Sequence, residues 1–104
     1  DKTTTVSSNP DNAVNGVDYT PVFNSLYYAS HNNDLLKAFG YDKKKLLNHF
    51  ITKGMEEGRQ ACETFNVQKY MNRYSDLRMA FGTNLPKYYL HYIQSGIKEG
   101  RSGN

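Results

Sequence analysis

Two histidines occupy matching contexts in this sequence, and histidine is the side chain that most often binds a metal or transfers a proton near neutral pH. His49 lies in His-Phe-Ile and His91 in His-Tyr-Ile. A metal site on one helix face would need a second ligand four residues later, where the sequence has Lys53 and Ser95. We therefore expect both histidines to be hydrogen-bonded packing residues, and we predict neither a metal site nor a cofactor.

Charged residues also come in matching pairs, Glu57 with Arg59 and Glu99 with Arg101. Two carboxylates are what glycoside hydrolysis needs, but acid catalysis needs them in different environments. Here each glutamate lies in the same Gly-x-x-Glu-Gly-Arg context. Identical contexts therefore argue against a catalytic pair.

The structural alternative is that these arginines form ion pairs within the fold. Arg59 would bind Asp34 and Arg101 would bind Asp76, or each would bind the C-terminal carbonyls of a neighbouring helix. No serine lies in a nucleophile motif, and no glycine-rich phosphate loop is present. The sequence therefore predicts a protein that is not an enzyme.

These residues recur because the chain from Val22 onward repeats itself after 42 residues without a gap. The repeated signature is Asp-Leu-x-x-Ala-Phe-Gly, then His-Phe/Tyr-Ile, then Gly-x-x-Glu-Gly-Arg. A period of this length is typical of tandem helical repeats. We therefore expect repeat one at residues 22–61 and repeat two at 64–103, packed together as one domain over 21–104.

The first 20 residues have a different composition, rich in Thr, Ser, Asn and Asp with few large apolar groups. Such a segment buries too little surface to offset the entropy of ordering it, so we predict a flexible linker at 1–20. The sequence begins at Asp1 rather than Met, which suggests a segment of a longer or processed protein.

Three helices are predicted in each repeat, giving an all-α fold with about six short helices and no sheet. Asn24 and Asn66 are expected N-caps of the first helices, each flanked by a hydrophobic staple. Asn33 and Ser75 are expected to cap the second helices, which glycines in a left-handed conformation would end. The residues predicted to be structural are Phe23, Asn24, Tyr28, Asp34, Gly40, His49, Gly54 and Arg59 in repeat one, and Phe65, Asn66, Tyr70, Asp76, Gly82, His91, Gly96 and Arg101 in repeat two.

Tyrosine is abundant, with nine residues beside five Phe and no Trp. Its ring suits both half-buried packing and stacking on sugar rings. Tyrosines without an aromatic partner in the other repeat are the better ligand candidates, together with a nearby arginine. The alternative is that the Tyr88–Tyr89 pair replaces Leu46 and Leu47 in the core. The candidate ligand-binding residues are Tyr27, Tyr41, Arg73, Tyr74, Tyr88 and Tyr89.

The charge balance is mildly basic, with 13 Lys and Arg against 10 Asp and Glu. Nucleic-acid binders usually concentrate more positive charge on one face, and the run Lys43–Lys45 is explained by a solvated helix face. We therefore predict no nucleic-acid partner. No apolar run approaches the length of a membrane span, so we predict no membrane insertion. The single cysteine, Cys62, is expected to be a small residue between the repeats.

The repeated signature resembles the tandem helical modules attached to secreted and cell-wall-associated proteins of gut Clostridia and their relatives, which often accompany lysins or glycan-cleaving enzymes. The resemblance covers about residues 18–103. It implies an accessory module at an extracellular or cell-surface location that binds a cell-wall, host or dietary glycan. A protein-interaction or spacer module of a surface protein is the alternative.

Overall fold

The computed structural model describes residues 12–104, which form six short helices and a small hairpin. Repeat one contains α1 (Ser25–Ser30), α2 (Asn33–Phe39) and α3 (Lys43–His49). Repeat two contains α4 (Val67–Arg73), α5 (Ser75–Phe81) and α6 (Leu85–His91). The fold is a small all-α domain of two three-helix repeats, as predicted. A two-stranded sheet, β1 (Ala13–Val14) and β2 (Val17–Asp18), precedes repeat one.

The first helix of each repeat begins at the predicted asparagine cap. The Asn24 side-chain oxygen accepts a hydrogen bond of 3.0 Å from the Tyr27 N–H, and Asn66 does the same for Lys69 at 3.1 Å. Each cap satisfies an N–H that the helix leaves unpaired. The predicted hydrophobic staples are confirmed as ring contacts, Phe23 with Tyr28 at 5.6 Å and Phe65 with Tyr70 at 5.2 Å between centroids.

The second helices begin differently from the prediction. Asn33 and Ser75 are their first helical residues, and the cap positions belong to Asn32 and Tyr74, neither of which makes a side-chain capping bond. Asn32 uses its side chain elsewhere, since its amide nitrogen donates to the Tyr28 carbonyl at 2.7 Å and its oxygen accepts from Arg59 at 2.9 Å. The caps assigned to Asn33 and Ser75 were therefore wrong by one position.

Glycine ends the second helices at the predicted positions, although with a different backbone conformation. Gly40 has φ +60° and ψ −137°, and Gly82 has φ +58° and ψ −120°. The positive φ is confirmed, but ψ lies far from the left-handed helical region. These φ and ψ values are open essentially to glycine alone, so both positions favour glycine over any other residue.

The third helices continue into one wider turn of π-helix, Phe50–Gly54 after α3 and Tyr92–Gly96 after α6. Such turns are rare and local. Gly54 and Gly96 are the last residues of these turns, as predicted. Glycine is required at both positions because a Cβ atom there would overlap the hydroxyl of Tyr28 or Tyr70. Asp42 caps α3 by accepting from the Lys45 N–H at 3.1 Å.

The hairpin before repeat one corrects the predicted linker. Asn15 and Gly16 have φ of 52° and 81°, which is the pattern of a tight type I′ turn. Tyr19 follows with a side chain only 6% exposed, and its ring lies 6.5 Å from that of Phe50. Residues 12–20 are thus ordered against the core, and the prediction of no sheet was wrong. The remainder of the predicted linker, residues 1–11, lies outside the described residues.

The two repeats meet in a contact that we call the repeat joint. Its centre is Tyr89, whose ring lies 5.4 Å from Phe50 and 5.2 Å from Phe65, and whose hydroxyl donates to the Arg59 carbonyl at 2.7 Å. Beside it, the turn at Gly58 approaches α4 and α6 so closely that a Cβ would lie 3.1 Å from the Leu85 side chain. The joint also places the side chains of Val67 and Gln68 against this turn.

Each repeat is also closed on itself by one backbone bond. The N–H of Asn24 donates to the Ala61 carbonyl at 2.8 Å, and the N–H of Asn66 donates to the Gly103 carbonyl at 2.7 Å. Cys62 follows Ala61 and lies in the segment between the repeats, as predicted. Its side chain is buried, with the thiol 3.5 Å from the Pro21 carbonyl. The first and last residues of each repeat therefore lie side by side.

Candidate functional site

An open groove of about 510 Å³ lies where repeat one, the hairpin segment and the inter-repeat segment meet. We call it the junction groove. Three parts of the chain form its walls: residues flanking the hairpin, the start of α1 and α3, and the segment joining the repeats. Its lining residues are Asn12, Thr20, Phe23, Asn24, Ser25, Leu26, Tyr27, Lys43, Cys62, Glu63 and Thr64.

The start of α1 gives the groove an apolar platform beside a polar cap. Leu26, the second residue of α1, is 63% exposed. Tyr27 is half-buried, and its ring stacks on that of His31 with centroids 3.7 Å apart and 12° between the planes. The two rings are four residues apart on one helix face, so the stack follows directly from helix geometry.

Polar groups surround that platform. Asn24 uses its oxygen as the cap of α1, whereas its amide nitrogen makes no hydrogen bond with any residue in 12–104. Asn12 is buried and donates to the Thr20 hydroxyl at 3.3 Å, which fixes the hairpin side of the groove. Glu63 and Thr64 line the groove from the inter-repeat segment, where the Thr64 hydroxyl lies 3.5 Å from the Cys62 thiol. The groove therefore combines donors and acceptors with an apolar surface.

The other residues predicted to bind a ligand lie outside this groove. Tyr41 is 54% exposed, in the turn between α2 and α3. Arg73 donates to the carbonyls of Ser102 and Asn104, both at 3.1 Å, and the Tyr74 hydroxyl accepts from the Ser102 N–H at 2.6 Å. Arg73 and Tyr74 thus secure the C-terminal segment, and of the six candidates only Tyr27 lines the groove.

Tyr88 and Tyr89 correct the prediction most clearly, because both side chains are fully buried. The Tyr88 hydroxyl donates to the Gly82 carbonyl at 2.5 Å, and the Tyr89 hydroxyl is bound in the repeat joint. Burial raises the pKa of Tyr89 well above its usual range. The alternative interpretation, that they replace Leu46 and Leu47 in the core, is therefore the right one.

The matched histidines lie in two equivalent tyrosine–histidine pairs. His49 Nδ1 lies 2.8 Å from the Tyr28 hydroxyl, and His91 Nδ1 lies 2.8 Å from the Tyr70 hydroxyl. Burial raises the pKa of both tyrosines, and burial together with the Arg59 charge lowers the pKa of His49. Across residues 12–104, no cluster of three or more His, Cys, Asp and Glu is arranged to hold a metal ion.

The arginines bind the predicted aspartates in both repeats. Arg59 reaches Asp34 with two bonds of 3.0 and 2.8 Å, and Arg101 reaches Asp76 with two of 3.1 and 2.7 Å. Hydrogen bonds from these arginines lower the pKa of Asp34 and Asp76. Each guanidinium also binds the glutamate two residues earlier. The same arrangement of arginine, aspartate and glutamate therefore occurs once in each repeat.

A second groove of about 600 Å³ lies on the other side of Lys43, between β1 and α3. Its floor is more apolar than that of the junction groove and contains no tyrosine. Val14, Leu47 and Ile51 provide the apolar surface, with Lys44 and Asn48 at the edge. It lacks the stacking ring that the junction groove offers.

Sequence reasoning missed the groove wall formed by Asn12 and Thr20 because it assigned the segment before residue 21 to a linker. The dipeptide Asn15-Gly16 between Ala13-Val14 and Val17 is the strongest short-range hairpin signal and could have revealed that wall. Leu26 and Glu63 have no such signal, because nothing in their local sequence distinguishes them from other surface residues.

Comparison with protein-family models, with curated proteins and with solved structures finds no match to this chain. None of the helices in the described part of the chain is long and apolar enough to cross a membrane.

Proposed function

We propose that this domain is a non-catalytic accessory module that binds a glycan in the junction groove. The observation that carries the proposal is the half-buried Tyr27 ring next to the exposed Leu26, with amides and hydroxyls around both. A sugar ring presents an apolar C–H face and a rim of hydroxyls. That pattern needs one stacking surface and several convergent polar groups, which small-molecule sites typically provide.

The proposed roles of the groove residues follow from their chemistry. Tyr27 would stack on the ring of one sugar unit, held in position by His31 behind it. The Asn24 amide nitrogen would donate to a sugar hydroxyl, and the Glu63 carboxylate would accept from another. The groove is open to solvent, so a sugar unit bound in it could belong to a longer chain. A cell-wall polysaccharide, peptidoglycan, or a host or dietary polysaccharide fits this description.

The parent protein and its location belong to the same proposal. A module of this kind would hold an extracellular or cell-surface protein against its substrate or its wall. The duplicated Arg–Asp–Glu groups are engaged in structural ion pairs, which supports a binding role rather than a catalytic one. A protein-interaction role remains the second candidate, and the exposed Leu26 and Ile97 side chains favour it.

Binding to a glycan array and to purified Gram-positive cell walls tests the proposal. We expect Tyr27→Ala to weaken binding about fivefold to 150-fold, because loss of the stacking ring removes about 1–3 kcal/mol by analogy with aromatic stacking on other planar ligands. Tyr41→Ala is the matched control, since Tyr41 is an exposed tyrosine outside the groove.

Two results would overturn the proposal. One is the absence of binding to any glycan or wall preparation at high protein concentration. The other is equal binding by the Tyr27→Ala and Tyr41→Ala proteins, which would place the ligand elsewhere. Circular dichroism on both variants establishes that the helices are retained, so a loss of binding cannot be attributed to unfolding.

A further inference from the structure

In the repeat joint, a turn of repeat one packs against a surface of repeat two. Because the chain is duplicated, an equivalent turn occurs again in repeat two and an equivalent surface occurs again in repeat one. The half contributed by repeat one is the turn after α3, where Met55 is 4% exposed and Gly58 packs against repeat two. The equivalent turn after α6 has no such cover. There Ile97 is 47% exposed, and a Cβ on Gly100 would meet nothing within 4 Å.

The half contributed by repeat two is the surface that receives the Gly58 turn. Its equivalents in repeat one, 42 residues earlier, all line the junction groove. Leu26 is exposed at the position that corresponds, in repeat two, to the contact with the Gly58 turn of repeat one. The corresponding residues are Ser25 for Val67, Leu26 for Gln68 and Lys43 for Leu85.

We propose that two copies of this chain associate head to tail, with the turn at residues 97–101 of one copy seated in the junction groove of the next. The contact reproduces between molecules the part of the repeat joint that the Gly58 turn forms with Val67, Gln68 and Leu85. The turn is already in the required shape, since Gly100 has φ +75° and Gly58 has φ +72°. A preformed turn loses little conformational entropy when it docks.

The geometry of this contact determines the kind of assembly. Head and tail are different surfaces, so the interface is heterologous and each added copy leaves one free end. Open chains or a ring would form rather than a closed twofold dimer. Lys43 replaces Leu85, and Asn12 shares the groove, so the contact is less apolar than the repeat joint. The association is therefore weak and dependent on concentration, as small interfaces are.

Sedimentation velocity on the intact chain over a concentration series tests the proposal. The weight-average mass is expected to rise with concentration. Ile97→Glu removes the turn's apolar contact and Leu26→Glu removes the groove's, so each variant alone should remain monomeric. Met79→Glu is the matched control, because Met79 is 89% exposed on α5, outside both surfaces.

Mixing the two monomeric variants provides the decisive measurement. Ile97→Glu keeps an intact groove and Leu26→Glu keeps an intact turn, so the mixture should form one-to-one dimers and nothing longer. A native chain that stays monomeric up to millimolar concentration would overturn the proposal. So would a mixture that stays monomeric, or variants that associate as the native chain does.

The proposal does not depend on glycan binding, although both would use the junction groove and would exclude one another. Ile97 lies in repeat two, outside that groove, so Ile97→Glu should abolish self-association without changing the affinity of a free groove for a glycan. Conversely, a chain that self-associates but binds no glycan would refute the proposed function and leave this contact standing.

Discussion

The two repeats share the same internal hydrogen bonds and ion pairs, but their third helices contact different surroundings. The Tyr28–His49 and Tyr70–His91 pairs have the same 2.8 Å separation, and Arg59 and Arg101 form the same ion pairs. The third helices differ: α3 carries Leu47 against the second groove, whereas α6 carries Tyr89 in the repeat joint. Residues shared by the repeats thus hold each unit together, and residues that differ determine what each unit contacts.

The largest effect should come from the position where the two third helices differ most. We expect Tyr89→Ala to lower the free energy of unfolding by about 3–5 kcal/mol, because a large aromatic side chain leaves a cavity between two cores. The equivalent Leu47→Ala should cost about 2–3 kcal/mol, since Leu47 lies beside an open groove that can adjust. Urea unfolding of both variants measures the difference. Equal costs would mean that the joint adds nothing to the stability of the repeats.

An intermediate effect should come from a position where the repeats are alike. Gly54→Ala and Gly96→Ala each place a methyl group against a tyrosine hydroxyl, and overpacking of this kind costs about 1–3 kcal/mol. The two substitutions should therefore destabilise the domain by similar amounts, measured by thermal unfolding. Tyr28→Phe in the Gly54→Ala background should recover part of the loss. No recovery would show that the hydroxyl is not the group that the methyl displaces.

The smallest effect should come from the titration of His49. Burial and the Arg59 charge lower the pKa of His49 in the folded state, so the unfolded chain binds more protons than the folded chain as the pH falls below the ordinary value of 6.5. Stability contributed by His49 is therefore present above pH 6.5 and is lost as the pH falls towards the folded pKa. Unfolding midpoints between pH 7.5 and pH 5 measure this loss.

Matched variants connect that loss to one histidine. His49→Gln should remove the dependence in this pH window, whereas His91→Gln leaves His49 in place and should retain it. A further loss is expected in acid, where Asp34 and Asp76, whose pKa values are lowered by Arg59 and Arg101, become protonated. An unchanged pH profile in His49→Gln would contradict the assignment.

The repeat architecture could be predicted from sequence because it depends on local chemistry. Asn24 and Asn66 each cap a helix by accepting a hydrogen bond from the backbone N–H three residues later in the sequence. Gly40 and Gly82 end helices at positions whose positive φ favours glycine. Ungapped duplication then identified the matched ion pairs, since Arg59 and Arg101 needed equivalent acceptors. These inferences required no knowledge of how the two repeats pack together.

The groove, and whether each tyrosine is buried or exposed, could not be predicted in the same way. Whether Tyr89 is a core residue or a ligand contact depends on the position of repeat one, which local sequence does not encode. The groove wall at Asn12 and Thr20 depends on a hairpin whose two-residue strands are too short to show alternation, so Asn15-Gly16 was the available signal and it went unread. The differences between repeats were a correct guide to contacts, but the contact made by Tyr89 is with the other repeat.

The backbone bond that closes each repeat has a consequence for how such a chain can grow. Asn24 pairs with Ala61 and Asn66 with Gly103, so every unit begins and ends at one point in space. A gene segment copied between those points would add a complete unit without disturbing the bonds inside its neighbours. An insertion or deletion between the paired residues would have to preserve this backbone bond. The two copies differ in many side chains but have the same length between the paired residues.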